Sequence, residues 1–185
     1  MRTLFVAVLL LSAPSFAARL ASRPADDFGD RSTPMQGLYA AIGGGGGPVI
    51  LDAGNAFGYD AEARLGYSFN PGLQIYLGGS VDGATINGAT FRSEMIAAFV
   101  QYHLYSGRSV GVYARAGIGI GLSSSRIDSA LGLAEGGGLG VEIGLSPGLF
   151  IAPELFYKST SLSISNGQGS YGEQVVGLQL ALIYY

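Results

Sequence analysis

The chain has 185 residues, a formal net charge of -3, one histidine and no cysteine or tryptophan. Without cysteine it can form no disulfide or thiolate metal site, and it cannot carry a lipid on an N-terminal cysteine. Charged residues make up 12% of the chain, about half the share usual in soluble domains, apolar residues reach 48%, and the acidic balance argues against nucleic acid as a partner.

Residues 1–17 read as a secretory signal peptide. Met1-Arg2 gives a positive start, Leu4 to Leu11 is a short apolar stretch, and Ser15-Phe16-Ala17 places small residues where a signal peptidase cuts. The apolar stretch is too short to span a bilayer. Removing Arg2 with the signal takes the basic count from 10 to 9 against 13 acids, so the mature chain, starting near Ala18, has a net charge of -4. Residues 18–35 are polar, contain Pro24 and Pro34 and show no period, which predicts a flexible lead.

Residues 36–185 alternate between apolar and polar positions, broken by tight turns. Three compact turn signals stand at Asn70-Pro71-Gly72, Ser106-Gly107-Arg108-Ser109 and Ser146-Pro147-Gly148. Between them lie more variable stretches near 46–57, 83–90, 123–132 and 163–172, two of which carry the hairpin-forming pairs Asn87-Gly88 and Asn166-Gly167. Three short turns and four longer loops make eight strands with both termini at one end. Past the signal, no unbroken aliphatic-aromatic run is longer than the six residues of Met95 to Val100, so no segment could cross a bilayer as a helix. A chain this apolar can meet lipid only as strands closed into a barrel.

The phases are clear. Tyr59, Ala61, Ala63, Leu65, Tyr67 and Phe69 alternate with Asp60, Glu62, Arg64, Gly66 and Ser68; Val110 to Leu122 alternate with Gly111, Tyr113, Arg115 and a glycine series. Strands tilted about 45° climb roughly 2.3 Å per residue, so ten residues match a lipid-facing band about 25 Å tall. Counted up from the turns, the apolar phase ends at Tyr59, Glu94, Glu135, Ser159 and Gln174, nearly one height. The glycines of 36–45 leave the phase of the first strand open. A soluble barrel with the apolar phase inside would need a Lys- and Glu-rich outer phase, whereas the chain has a single lysine, Lys158.

With the polar phase inward, eight strands leave a lumen that side chains fill. Arg64, Arg115, Glu142, Glu154 and Gln179 fall in a middle layer, with Asp60, Glu62, Asp82 and Lys158 nearer the far end. Lone charges there cost several kcal/mol each, so Arg64 and Arg115 should bridge to Glu154, Glu142 or Glu62. The bland role of such a network is a plug; the sharper one is a gate. Inward glycines on 117–121 and 136–144 make room for Tyr76, Tyr113, Phe99, Phe150 and Phe156. Pro153 removes a ladder donor and predicts a bulge near the turn end. No catalytic, cofactor or metal site is read: His103 lies near the turn end as a lumen filler, Ser123-Ser124-Ser125 with Asp128 reads as solvated loop, and Gly43 to Gly47 lacks the lysine and helix of a phosphate loop.

The short Pro-Gly turns, the Pro153-Glu154-Leu155-Phe156-Tyr157 segment and the closing Gly177-Leu178-Gln179-Leu180-Ala181-Leu182-Ile183-Tyr184-Tyr185 resemble the small eight-stranded outer-membrane barrels of the OmpA/OmpX type. The resemblance implies an all-β, antiparallel up-and-down transmembrane barrel in a bacterial outer membrane, with short periplasmic turns and longer extracellular loops. It also implies that Gly177, Leu180, Leu182 and Tyr185 form the strand signal read by the barrel-assembly machinery. The final tyrosine departs from the commoner phenylalanine. The reading that follows is a monomeric, non-enzymatic structural or surface-interaction protein without cofactors, in contact with outer-membrane lipids and lipopolysaccharide and escorted by periplasmic chaperones. A narrow small-solute or ion pore and an outer-leaflet lipid A-modifying enzyme are the alternatives.

Overall fold

The computed structural model describes residues 36–51, 54–86, 88–107, 109–124, 129–164 and 170–185. The signal and lead regions, Ser125, Asp128 and the Asn166-Gly167 pair lie outside them. Among the described residues every element is a strand: β1 Gly37–Leu51, β2 Gly54–Asn70, β3 Leu73–Ile86, β4 Ala89–Ser106, β5 Val110–Ser124, β6 Ser129–Ser146, β7 Leu149–Ile164 and β8 Ser170–Tyr184. Each pairs antiparallel with its sequence neighbours, and β8 returns to β1, closing the barrel. Closure satisfies every strand edge, which an open sheet of this composition could not do in an apolar surrounding.

The three turns stand where their Pro-Gly and Ser-Gly signals put them, and they share one end, the turn end. In the first, the Asn70 side chain accepts from the Gly72 amide at 2.7 Å, an Asx turn, and Gly148 takes a φ of 72° that only glycine adopts without strain. Three register shifts, at Ser68/Asn70, His103/Tyr105 and Gly144/Ser146, sit beside these turns at the feet of β2, β4 and β6. Turn carbonyls take amides from the next even strand: His103 donates to Gly72, Gly144 to Ser109 and Tyr185 to Gly148, all at 2.8–2.9 Å. Bulges bend a strand and raise its twist, and placed at one rim they close that end of the cylinder.

At the opposite end the strands run further than the composition suggests. β1 reaches Leu51 and β2 resumes at Gly54; Ile86 pairs directly with Ala89, and Asn87 of the Asn87-Gly88 pair lies outside the described residues. Ser123, read from sequence as solvated loop, is buried inside β5 with its hydroxyl toward the Arg92 carbonyl. The bulge expected at Pro153 is absent. The β6–β7 register is the same on both sides of it (Gly140↔Glu154, Ile143↔Ile151), and only the pairs opposite Val141 and Glu142 drop out. A missing amide costs one ladder bond without requiring an extra residue.

The phases resolve as an inside-out protein. Leu38, Ile42, Leu65, Leu77, Ile96, Ile118, Leu139, Leu155, Leu178 and Leu180 are exposed, while Asp60, Glu62, Arg64, Arg115, Glu142, Glu154 and Lys158 are buried. The phase that the β1 glycines hid is set by Tyr39, Ala41 and Val49, which point inward. On β6 the exterior becomes apolar again past Glu135, at Leu133 and Leu131, so the band on that face reaches higher than a count to Glu135 indicates.

Candidate functional site

The lumen is packed in layers. Near its middle, Arg64 on β2 and Arg115 on β5 face Glu62 on β2 and Glu154 on β7. Glu154 accepts from Arg64 Nη2 at 3.0 and 3.2 Å, Arg115 Nε at 2.7 Å, the Tyr113 hydroxyl at 2.5 Å and Gln179 Nε2 at 2.7 Å. Glu62 accepts from Arg115 Nη1 and Nη2 at 2.8 and 2.9 Å, and from Arg64 and Gln179 at 3.2 Å. Two cations and two carboxylates thus balance within one desolvated cluster. That is the condition under which buried charges are tolerated, because each loses its water and regains donors or acceptors from the others.

Aromatic rings complete this layer. Tyr39 stacks on Tyr76 at 4.9 Å and Tyr76 on Phe99 at 5.4 Å, while the Arg115 guanidinium lies 4.9 Å above the Phe99 ring. The delocalised guanidinium pairs with carboxylates in its plane and with a ring on its face. Glycines provide the volume. A Cβ on Gly117 would lie 2.4 Å from Phe99 Cδ1, one on Gly140 2.3 Å from Tyr113 Cζ, and one on Gly177 2.8 Å from the Phe156 ring.

Towards the open end, Lys158 on β7 bridges Asp60 on β2 and Asp82 on β3, the latter at 3.2 Å, and its ammonium lies 5.1 Å from the Phe156 centroid. Above it Glu173 on β8 is 2% exposed, its carboxylate desolvated and facing Ser93 and Lys158. Towards the turn end, Glu142 accepts from Gln101 Nε2 at 3.2 Å and from the Tyr185 hydroxyl at 2.7 Å, and stands 3.0 Å from His103 Nε2. The Tyr39 hydroxyl donates to Gln101 at 3.4 Å, and Tyr185 packs on Tyr39 and Phe150.

The residues picked out by alternation therefore divide into three groups. Arg64, Arg115, Glu154 and Gln179 meet in the middle, joined by Glu62, which the strand count had set higher. Asp60, Asp82 and Lys158 form the open-end layer. Glu142 lies in the turn-end layer, where it meets Gln101, Tyr185 and His103. Leu180 and Leu182 face outward, Gly177 backs onto Phe156, and Tyr185 turns its hydroxyl inward. Sequence reasoning passed over Glu173, Gln101 and the inward role of Tyr185, although phase alone places the first two inside: Glu173 shares its parity with Gln179, and Gln101 with Phe99. Among the described residues, the buried carboxylates Asp60, Glu62, Asp82, Glu142, Glu154 and Glu173 face Arg64, Arg115 and Lys158, six against three.

No protein-family model matches the sequence, and no curated protein matches it significantly. Among solved structures, the barrel is similar to neisserial surface protein A at 14% identity, with a TM-score of 0.65 over 78% of this chain and 95% of that one. It is similar also to the outer membrane enzyme PagL at 14% identity, with a TM-score of 0.57 over 77% of this chain and 97% of that one. At such identities the likeness is one of fold. The chain folds as the small eight-stranded outer-membrane barrels do.

Proposed function

We propose that the chain is an integral protein of a bacterial outer membrane, exported with a signal peptide cut near Ala17, in which a closed, solid barrel anchors the open-end strands and loops at the cell surface. The observation that carries this reading is the filled lumen. The balanced Arg64–Glu62–Arg115–Glu154 cluster, stacked on Tyr76 and Phe99, occupies the cross-section where a channel would have to run. The apolar exterior supports membrane insertion, since so many exposed leucines and isoleucines would otherwise face water. Tight turns at one end favour insertion with that end in the periplasm, which puts residues 18–35 there as well. Gly177, Leu180, Leu182 and Tyr185 serve as the closing-strand signal for the assembly machinery.

The reading is non-enzymatic. The fold shared with PagL is compatible with catalysis, but the one histidine of this chain points into the lumen against Glu142, near the turn end. The test pairs gel mobility with conductance. The mature chain refolded in detergent should migrate faster unboiled than boiled, and the same preparation in planar bilayers should show no conductance steps. A steady single-channel current would replace the anchor with a narrow pore.

A further inference from the structure

The outer face of β1–β3 carries a cleft of about 490 Å³ near the open end. Its walls are two aromatic side chains of β2 that splay apart. The Tyr59 ring lies over Gly83 of β3, so that a Cβ there would sit 2.4 Å from Tyr59 Cζ; the Phe57 ring faces Gly46 of β1, where a Cβ would lie 3.4 Å from Cε1. Phe57 is 80% exposed and Tyr59, although its ring covers Gly83, is 55% exposed. Thr85 and Thr90, paired across β3 and β4, add hydroxyls to the rim.

Height places this cleft at a boundary. Phe69 marks the foot of the apolar phase on β2; Tyr59 stands ten residues above it and Phe57 twelve, about 23 and 28 Å at the rise of tilted strands, against a band about 25 Å tall. Below Tyr59 the exterior is low. Gly44, Ala61, Ala63 and Gly79 occupy neighbouring outward positions, flanked by Ile42, Val81 and Leu180; a second run of small outward residues, Ala98, Ala116 and Gly137, lies on β4–β6. Above, Arg92 of β4 pairs directly with Gly83. Among the described residues it is the one basic side chain on the barrel exterior; it is half exposed and spends one contact on Glu94 at 2.9 Å. A guanidinium has five donors, so most remain free for a second anion.

We propose that this cleft seats a single outer-leaflet glycolipid with a phosphorylated saccharide head. The acyl chains lie in the low strip continuous with the lipid-facing band, the sugar sits between Phe57 and Tyr59 within reach of the threonine hydroxyls, and a phosphate meets Arg92. An ordinary belt of interfacial aromatics would need neither the splay nor the glycine floor. The inference rests on the outer-membrane reading above and adds a defined seat for one lipid molecule.

The test uses the full mature chain refolded in zwitterionic detergent, native mass spectrometry as the readout, and purified lipid A, dephosphorylated lipid A and phosphatidylglycerol as probes. Lipid A should be retained at one molecule per barrel. Retention should weaken about tenfold or more in Arg92→Gln and with the dephosphorylated probe, as expected for loss of a charge-assisted contact worth about 1.4 kcal/mol or more. Tyr59→Ala should weaken all acylated probes. Equal retention of phosphatidylglycerol, or indifference to both substitutions, overturns the proposal. Gel mobility of the same samples separates the two claims: a normal heat-dependent shift with no lipid retained refutes the seat alone, whereas loss of the shift in wild-type protein refutes the membrane barrel. Arg92 faces outward and has no place in the lumen, so its variant remains informative should Tyr59→Ala fail to fold.

Discussion

Replacing Glu154 with glutamine removes one negative charge from the balanced middle layer and almost nothing else. The glutamine keeps the shape and one acceptor oxygen, but Arg64 and Arg115 are left with Glu62 as their only anion in hydrogen-bond contact. Removing one partner of a buried ion pair typically costs about 3–5 kcal/mol, because the remaining charge stays desolvated. The retained acceptor and Gln179 place this case at the lower end, about 3 kcal/mol. Urea-driven unfolding from lipid vesicles, followed by gel mobility and circular dichroism, measures it. The second half of the argument is a rescue. In Glu154→Gln/Arg115→Gln the layer is again balanced, with Arg64 facing Glu62, so the double variant should be more stable than the two single costs predict, with a coupling of roughly 2 kcal/mol. A single-variant cost below about 1 kcal/mol, or strict additivity, would show that solvent or protons already neutralise the layer and that the network does not hold the lumen shut.

Gly140→Ala should destabilise the barrel by about 1–3 kcal/mol, since the new methyl meets the Tyr113 ring and pushes its hydroxyl off Glu154; adding Tyr113→Ala should recover part of the loss in the same assay. Glu173→Gln should stabilise by about 1–3 kcal/mol above neutral pH, because the charged carboxylate is buried and has lost its hydration. That gain should vanish at acid pH, where the native side chain carries its own proton, and a gain independent of pH would mean that the charge is not its source. His103→Ala should leave the unboiled gel mobility intact while loosening the turn end, read as faster amide exchange at Tyr185 and Gly148 than in β3.

Strand number, turn positions and the inside-out orientation were legible in the sequence because each rests on local chemistry. Pro-Gly and Ser-Gly pairs turn a chain wherever they stand, and a period of two assigns every residue to one face as soon as one residue is placed. Phase likewise identified Asp60, Asp82, Glu142 and Lys158 as inward, and would have done so for Glu173. The exceptions have equally local causes. Ser123 looks like loop because serine runs are common in loops, yet strand pairing carries β5 past it. Pro153 looks like a bulge because it lacks a donor, yet the register passes it unchanged.

What alternation cannot encode is height relative to other strands, since that depends on the stagger set when the barrel closes. Counting from turns put Glu62 above Arg64 and Glu142 beside the arginines. Closure with bulges at three strand feet instead drew Glu62 into the middle layer and gave Glu142 to His103, Gln101 and Tyr185. Which charges neutralise which, and the splay of Phe57 from Tyr59 over two glycines from different strands, are products of that stagger. The sequence by itself determined which side chains are inside along the strands whose phase it shows, β1 excepted. Only the closed tertiary structure decided which of them meet, because partners as distant in sequence as Gln179 and Glu62, 117 residues apart, are brought within 3.2 Å by the geometry of the whole cylinder.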